Sequence, residues 1–455
     1  MGAHDRLEKI PGREFLDFNG NKVDAIKFFA GNGFNAMRVF ASYSDPVILT
    51  TGPVDNTNAD YRERNFQLDF GGIDTQVILA KRAKAAGMKI LVTIQFGQDG
   101  PVDNWHEYFP TKWLNLTYQQ MLDSIDKYTR VVLKPFLNAG IQPDVIIVEN
   151  EADSGMLFQY LGTDGKMHIR DNVATDVFSD VATGIYSIWP KSAGFFKRVI
   201  LSAKDEISKA GLDPAYTRIA VHTTCNPFRA RSTFDRIFNN KPDAEQVFYQ
   251  NGTSQGIVTA VPANIRNLNL RDMVDIMGFS YYPPLPTTST QADFDKSNLQ
   301  LTDDMNYMDP LIKNYGIYTS GPFIGQYKKQ ALVVEYAAGT DASIGCDEAR
   351  QKLFVADFFK KLSSYGSTMG ALWWEPTYGN NNWYHDEGSL YRHTVWNSTT
   401  NTWAKLRPLD LIKTWAACVT PISTSLEATP QKDAASLSLS PNPVTNGFLS
   451  IKLSG

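Results

Sequence analysis

Two glutamates carry the strongest chemical signal in this 455-residue chain. Glu151 ends the run Val145-Ile146-Ile147-Val148-Glu149-Asn150-Glu151, and Glu335 ends Ala331-Leu332-Val333-Val334-Glu335. Each carboxylate stands where an unbroken apolar run stops. In a (β/α)8 barrel the carboxyl ends of all strands open onto one face, so such carboxylates converge. Glycoside hydrolysis needs a pair of this kind. In its retaining form one carboxyl protonates the leaving oxygen, and the other, about 5–5.5 Å away, attacks the anomeric carbon. Asn150, just before Glu151, adds an amide suited to a sugar 2-hydroxyl. Taken alone, Asn150-Glu151 reads as well as a helix N-cap with a first-turn acid, and Glu335 as a solvated loop residue. Their shared position at strand ends favours chemistry.

The elements that must hold these residues follow from hydrophobic patterning. Seven apolar runs, 35–40, 88–94, 144–148, 218–222, 274–280, 331–334 and 371–374, mostly lack polar alternation, as strands buried on both faces do. Between them lie helical spacings such as Val23, Ile26 and Ala30 before Gly31, or Ile73, Val77 and Ala80 before Gly87, with glycine as the stop. Repeated βα units over most of the chain predict an α/β fold, a single (β/α)8 TIM barrel spanning residues 1–418. An eighth strand would fall near Gly2–Leu7, a short polar stretch, so the first strand is expected to be truncated. Asn226–Leu270, with Phe228, Phe234, Phe238 and Phe248, reads as a long excursion over the barrel mouth.

Composition narrows the function classes. The net charge of −4 gives no basic field for nucleic acid, and no apolar run approaches the roughly 20 residues of a membrane span. Cys225, Cys346 and Cys418 are too scattered for a zinc site or a disulfide framework. The amino terminus lacks the layout of a signal peptide. Asn115-Leu116-Thr117, Asn251-Gly252-Thr253 and Asn397-Ser398-Thr399 match the glycosylation acceptor pattern, which is short enough to arise by chance.

Residues 419–435 form a Ser/Thr/Pro-rich linker. Residues 436–455 then alternate like strands around Ser440-Pro441-Asn442-Pro443. This last stretch resembles the start of the carboxyl-terminal sorting domain of type IX secretion cargo. That resemblance implies export to the cell surface or beyond, with the type IX machinery as partner. An ordinary β-module or a tail is the plainer reading.

The barrel itself is similar to a known family. Asn150-Glu151-Ala152-Asp153-Ser154-Gly155-Met156-Leu157-Phe158 resembles the Asn-Glu-x-x-x-Gly-Met-Leu-Trp segment of family 53 glycoside hydrolases, the endo-β-1,4-galactanases of clan A. Gly33-Phe34-Asn35-Ala36-Met37-Arg38, Ala80–Lys89, Pro110 with Trp113, Val274–Pro283 and Leu372-Trp373-Trp374-Glu375-Pro376 match further family segments in order. The resemblance implies Glu151 as acid/base and Glu335 as nucleophile. It also implies that Arg38 keeps the nucleophile ionised, as a nearby cation does for a carboxylate. Either Tyr281 or Tyr282 should donate to Glu335, since neighbouring strand residues face opposite ways. Trp374 is the expected sugar platform, beside Glu375, with Trp373 in the core. His222 would meet the sugar or Glu151, or be a satisfied core histidine.

Three departures bear on substrate. Gln95-Phe96-Gly97-Gln98 stands where galactanases carry His-Tyr-Ser-Asp. Glu149 replaces a glycine, and on a regular strand it would share a side with Glu151 unless a bulge turns it away. The loop after Glu335 is too poor in oxygen ligands for the calcium site of bacterial members, so no metal or cofactor is expected. The resulting expectation is a secreted, retaining endo-hydrolase acting on β-1,4-galactan or arabinogalactan side chains of plant cell-wall polysaccharide. A glucan- or mannan-cleaving relative, and a surface polysaccharide-binding protein without turnover, are the alternatives.

Overall fold

The computed structural model describes residues 13–42, 73–96, 113, 115–152, 155–157, 159–161, 167–169, 189–224, 229–239, 245–250, 253–284, 286–338, 348–373, 390–397 and 402–414. Its strands, in chain order, are β1 (Glu14–Phe15), β2 (Ala36–Ser42), β3 (Lys89–Gln95), β4 (Val145–Val148), β5 (Gln159–Leu161), β6 (Met167–Ile169) and β7 (Arg218–Thr223). There follow β8 (Val247–Gln250), β9 (Thr253–Ile257), β10 (Ile276–Tyr281), β11 (Gln330–Tyr336), β12 (Thr368–Trp373), β13 (Tyr391–Asn397) and β14 (Thr402–Pro408).

Seven of these form one parallel sheet in the order β12-β11-β10-β7-β4-β3-β2. They are the seven runs expected from hydrophobicity, with ends displaced by a few residues. Helices connect them, including Ile73–Ala85, Tyr118–Asn138, Trp189–Lys209, Leu299–Lys313 and Glu348–Ser363. The sheet curls until its outermost strands, β2 and β12, bring Cα atoms within 8 Å of each other, as in a (β/α)8 barrel. The expected strand near Gly2–Leu7 and the tail segments 419–435 and 436–455 lie outside the described residues.

The helices start and stop for local reasons. Thr117 and Gln120 cap Tyr118–Asn138 reciprocally, and Asp24 accepts from Lys27 N (3.1 Å) at the start of Ala25–Gly31. Ile73–Ala85 is followed by Gly87 at φ 86°, a left-handed position that glycine takes without steric cost.

Strand side chains sort by the period of two. Leu91, Val145, Ile147, Ala220, Ile276, Leu332, Val334 and Met369 form an inner cluster that fills the barrel. Ile90, Val92, Ile146, Val221, Met277, Phe279, Val333 and Trp373 instead join the larger core between sheet and helices.

Strand β11 carries an irregularity that shapes the barrel mouth. Between Val333 and Tyr336 it has one residue more than either neighbour, because Phe279 pairs with Val333 while Ser280 pairs with Glu335, and Ala371 and Trp373 pair with Val333 and Tyr336. This bulge lets Val334 and Glu335 both face inward. A Cβ added to Gly278 would fall 2.5 Å from Val334 Cγ2 and 2.8 Å from Val221 O, so only glycine leaves room for the bulged strand.

The excursion 226–270 differs from expectation in its described part. Phe234 and Phe238 are buried against each other (5.1 Å) and meet Tyr307 and Tyr315. Phe238 also lies near Lys329, just ahead of β11. These phenylalanines therefore pack on the wall at the amino-terminal end of the strands, away from the mouth, because burying apolar rings against the 299–313 helix outweighs lining a wet opening. Phe228 lies outside the described residues.

Candidate active site

At the carboxyl ends of the strands the inner face turns polar. Arg38, on β2, is buried among polar partners. Nε donates to Thr93 Oγ1 (2.7 Å), Nη2 to Asn150 Oδ1 (2.6 Å), and Nη1 to Glu335 Oε1 in a close ion pair. Its Cζ lies 4.0 Å from the centre of the Phe40 ring. Tyr282 Oη donates to the other oxygen of Glu335 at 2.7 Å.

Burial opposes ionisation of Glu335, but the Arg38 charge, His222 and these hydrogen bonds outweigh it and hold the carboxyl down at about 2. Burial, followed by the charges of Glu335 and Glu151, pushes the Tyr282 phenol well above its ordinary value. Tyr282 therefore stays a proton donor throughout the working range.

Glu151 arrives by a different device. Strand β4 ends at Val148, and both Glu149 and Glu151 take left-handed backbone angles, φ 63° and 47°. Such angles are costly for non-glycine residues and need fixing by their surroundings. Glu149 N donates to Ile94 O (3.0 Å), Glu151 N to His222 Nδ1 (3.3 Å), and Ala152 N to His222 O (2.9 Å). The Glu149 carboxylate accepts from Phe96 N (3.0 Å) and Asn150 N (3.4 Å). Glu149 and Glu151 thus do not follow the strand alternation. One carboxylate seals the end of β3, and the other is partly exposed and in hydrogen-bond contact with Ser280 Oγ.

His222 is buried, with Nδ1 2.9 Å from Asn150 Oδ1 and Nε2 2.9 Å from Ser280 Oγ. Ser280 Oγ also lies 3.2 Å from Glu335 Oε2. Oxygens of Glu151 and Glu335 and a ring nitrogen of His222 all stand within 4.8 Å of one another. That spacing would suit a metal ion, but the Arg38 guanidinium already neutralises Glu335 and would repel a second cation.

Of the sequence candidates, Arg38, Asn150, Glu151, His222, Tyr282 and Glu335 meet in this cluster. Tyr281 does not. Its ring faces outward, stacks near Phe358 (5.8 Å), and its hydroxyl lies 3.0 Å from Ser297 O and 3.1 Å from Asn298 Oδ1. As a substrate-binding candidate it is corrected to core packing, because alternation along β10 points Ser280 inward and Tyr281 out. Trp373 sits edge-on to Tyr336 in the core. Trp374 and Glu375 lie outside the described residues. Sequence reading passed over Ser280 and Thr93. The signal was there: Gly278, Ser280 and Tyr282 share one face by alternation, and Thr93 interrupts the apolar run of β3.

Comparison with known proteins identifies the family. The model of glycosyl hydrolase family 53 matches residues 6–410. The chain belongs to that family. It is accordingly a glycoside hydrolase. An arabinogalactan endo-beta-1,4-galactanase from Thermothelomyces thermophilus is 23% identical over 383 residues, covering 82% of this chain and 87% of the relative. The enzyme of the same name from Humicola insolens is 21% identical over 380 residues, with the same coverages, 82% and 87%. Among solved structures, the Ignisphaera aggregans GH53 catalytic domain superposes with a TM-score of 0.55 at 16% identity, over 91% of this chain and 93% of that one. A fungal beta-1,4-galactanase gives 0.51 at 18% identity, over 91% and 96%. At these identities the structural likeness speaks for the barrel fold.

Proposed function

We propose that this member of family 53 is a retaining, endo-acting hydrolase of β-1,4-galactan or arabinogalactan side chains, with Glu335 as nucleophile and Glu151 as acid/base. The observation that carries the reading is that one oxygen of each carboxylate comes within 4.8 Å of the other, in unlike environments. Inverting enzymes keep their carboxyls about 6.5–9.5 Å apart to admit a water. Glu335, ion-paired and ionised, attacks the anomeric carbon as the glycosidic C–O bond breaks and the Glu151 proton passes to the leaving oxygen. Water then gives its proton to Glu151 and displaces Glu335, restoring both groups. Asn150, oriented by Arg38, is placed for the sugar 2-hydroxyl. Trp374 and Glu375 extend the sugar-binding surface in this reading.

The galactanase names of the relatives supply the substrate class. A glucan or mannan substrate is the second reading, since Gln95-Phe96-Gly97-Gln98 departs from the galactanase His-Tyr-Ser-Asp. The proposal includes export, with 419–435 as linker and 436–455 as the start of a type IX sorting signal.

The test is reducing-sugar release from galactan, arabinogalactan, β-glucans and mannan, with product anomers followed by NMR. Release from galactan with retention, abolished in both Glu151→Gln and Glu335→Gln while binding persists, is expected. Inversion would overturn the mechanism. Turnover of another glycan alone would move the substrate to the second reading.

A further inference from the structure

The roles assigned to Glu151 and Glu335 leave one group between them without a task. Ser280 Oγ touches Glu151 Oε1, stands 3.2 Å from Glu335 Oε2 and lies 2.9 Å from His222 Nε2. It is 2% exposed, and the β11 bulge sets its residue directly opposite Glu335. We propose that Ser280 is a positioning residue whose single hydroxyl proton serves whichever carboxylate is charged, Glu335 in the free protein and Glu151 once Glu335 is esterified. This rests on the acid/base and nucleophile reading above.

Proton counting gives the reason. A hydroxyl has one donor and two acceptor sites. A carboxylate only accepts, and a carboxylic acid brings a donor of its own. His222 Nε2–H fills one acceptor site on Ser280, since a bare Nε2 would take the only proton that two carboxylates compete for. In the free protein Glu335 is ionised and Glu151 protonated. The Glu151 acid donates into the second acceptor site of Ser280, and the Ser280 proton turns to Glu335.

After the first displacement Glu335 is a neutral ester and Glu151 an anion. Rotation about one C–O bond then brings the Ser280 proton to Glu151. No atom other than a hydroxyl hydrogen need move. The charged groups around Ser280 come from four strand ends: Glu335 on β11, Glu151 after β4, His222 on β7, and Arg38 on β2, held on Glu335 together with Tyr282. The ion pair of Arg38 is with Glu335. Ser280 touches both carboxylates.

The experiment titrates 13C-labelled glutamate side chains in wild type, Ser280→Ala and Ser280→Thr, first free and then labelled with a 2-deoxy-2-fluorogalactoside bearing a good leaving group. In the free protein, Ser280→Ala should raise the Glu335 midpoint by about one pH unit, and Ser280→Thr, which keeps the hydroxyl, should restore it. In the labelled protein the same rise should appear at Glu151. If Ser280→Ala fails to fold, Ser280→Cys, close in size and a weak donor, carries the same comparison. An unchanged Glu335 midpoint in the free variant overturns the proposal regardless of substrate. An unchanged Glu151 midpoint in the labelled protein overturns the transfer. Failure of the fluorosugar to react, with the free-protein shift present, counts against galactose as substrate and supports the link from Ser280 to Glu335.

Discussion

The barrel buries an arginine at each end, and the two are used differently. At the mouth, Arg38 forms an ion pair with Glu335 and bonds Asn150 and Thr93. At the floor, the fully buried Arg218 on β7 meets neutral acceptors: Gln330 Oε1, the carbonyls of Asp275 (3.2 Å) and Lys328 (3.3 Å), and Met369 Sδ (3.8 Å). Its Nε has no partner among the described residues. Burial lowers the pKa of both guanidiniums. A buried cation thus does different work according to its partner. Against carbonyls and an amide it closes the end of a barrel, and against a carboxylate it fixes a charge where substrate enters.

The largest expected effect separates the two arginines. Arg38→Met should lower kcat/KM on the order of 10³-fold, as loss of a buried electrostatic donor does. It should also raise the Glu335 pKa, since His222 and the Tyr282 hydrogen bond are then left to oppose burial. Arg218→Met should leave kcat within about twofold and cost roughly 2–3 kcal/mol in urea unfolding, through the acceptors it strands. Equal losses of activity in the two variants would erase the distinction.

Acid sensitivity sharpens the contrast. The pKa of Glu335 is lowered on folding, so its contribution to stability is complete above its unfolded value near 4.5 and fades as pH falls toward about 2. Arg38→Met should lose that contribution at every pH, whereas Arg218→Met should keep it. Unfolding curves recorded between pH 2 and 6 would reveal the difference.

Smaller effects are expected along β10. Tyr282→Phe should cost about tenfold in kcat by removing one donor from Glu335, while Tyr281→Phe should leave kcat unchanged and cost about 1 kcal/mol of stability. If the neighbour's phenotype matched that of Tyr282, the inward and outward assignments would be wrong. Least of all, Glu149→Gly should stay within about 1 kcal/mol of wild type, because it loses the bond to Phe96 N but relieves a left-handed angle.

How much of this was legible in the sequence depended on the length scale of each cause. The seven barrel strands were, because burial on both faces writes itself as Val145-Ile146-Ile147-Val148 or Ala331-Leu332-Val333-Val334. The meeting of Glu151 and Glu335 was foreseeable from strand ends opening on one face, whereas Arg38 and His222 were marked by the resemblance to the family. What escaped was local backbone geometry. Nothing in the residue types told that β4 stops at Val148, that Glu149 turns to Phe96, or that β11 carries an extra residue. Ser280 was missed because a small hydroxyl in a strand looks like filler until its two flanking carboxylates are seen. The phenylalanines of the excursion misled because apolarity predicts burial without saying against which end of the barrel.

The bulge on β11 and the glycine facing it amount to one inherited unit. One strand has a residue to spare, and its neighbour lacks a side chain at the same height, so neither state makes sense alone. Deleting Val334 would straighten β11, keep Glu335 pointing inward and leave a hole beside Gly278. Gly278 could not take a side chain even then, because Val221 O on β7 would still stand 2.8 Å from its Cβ. Loss of the bulge should therefore leave a void beside Gly278 that no substitution at 278 can fill.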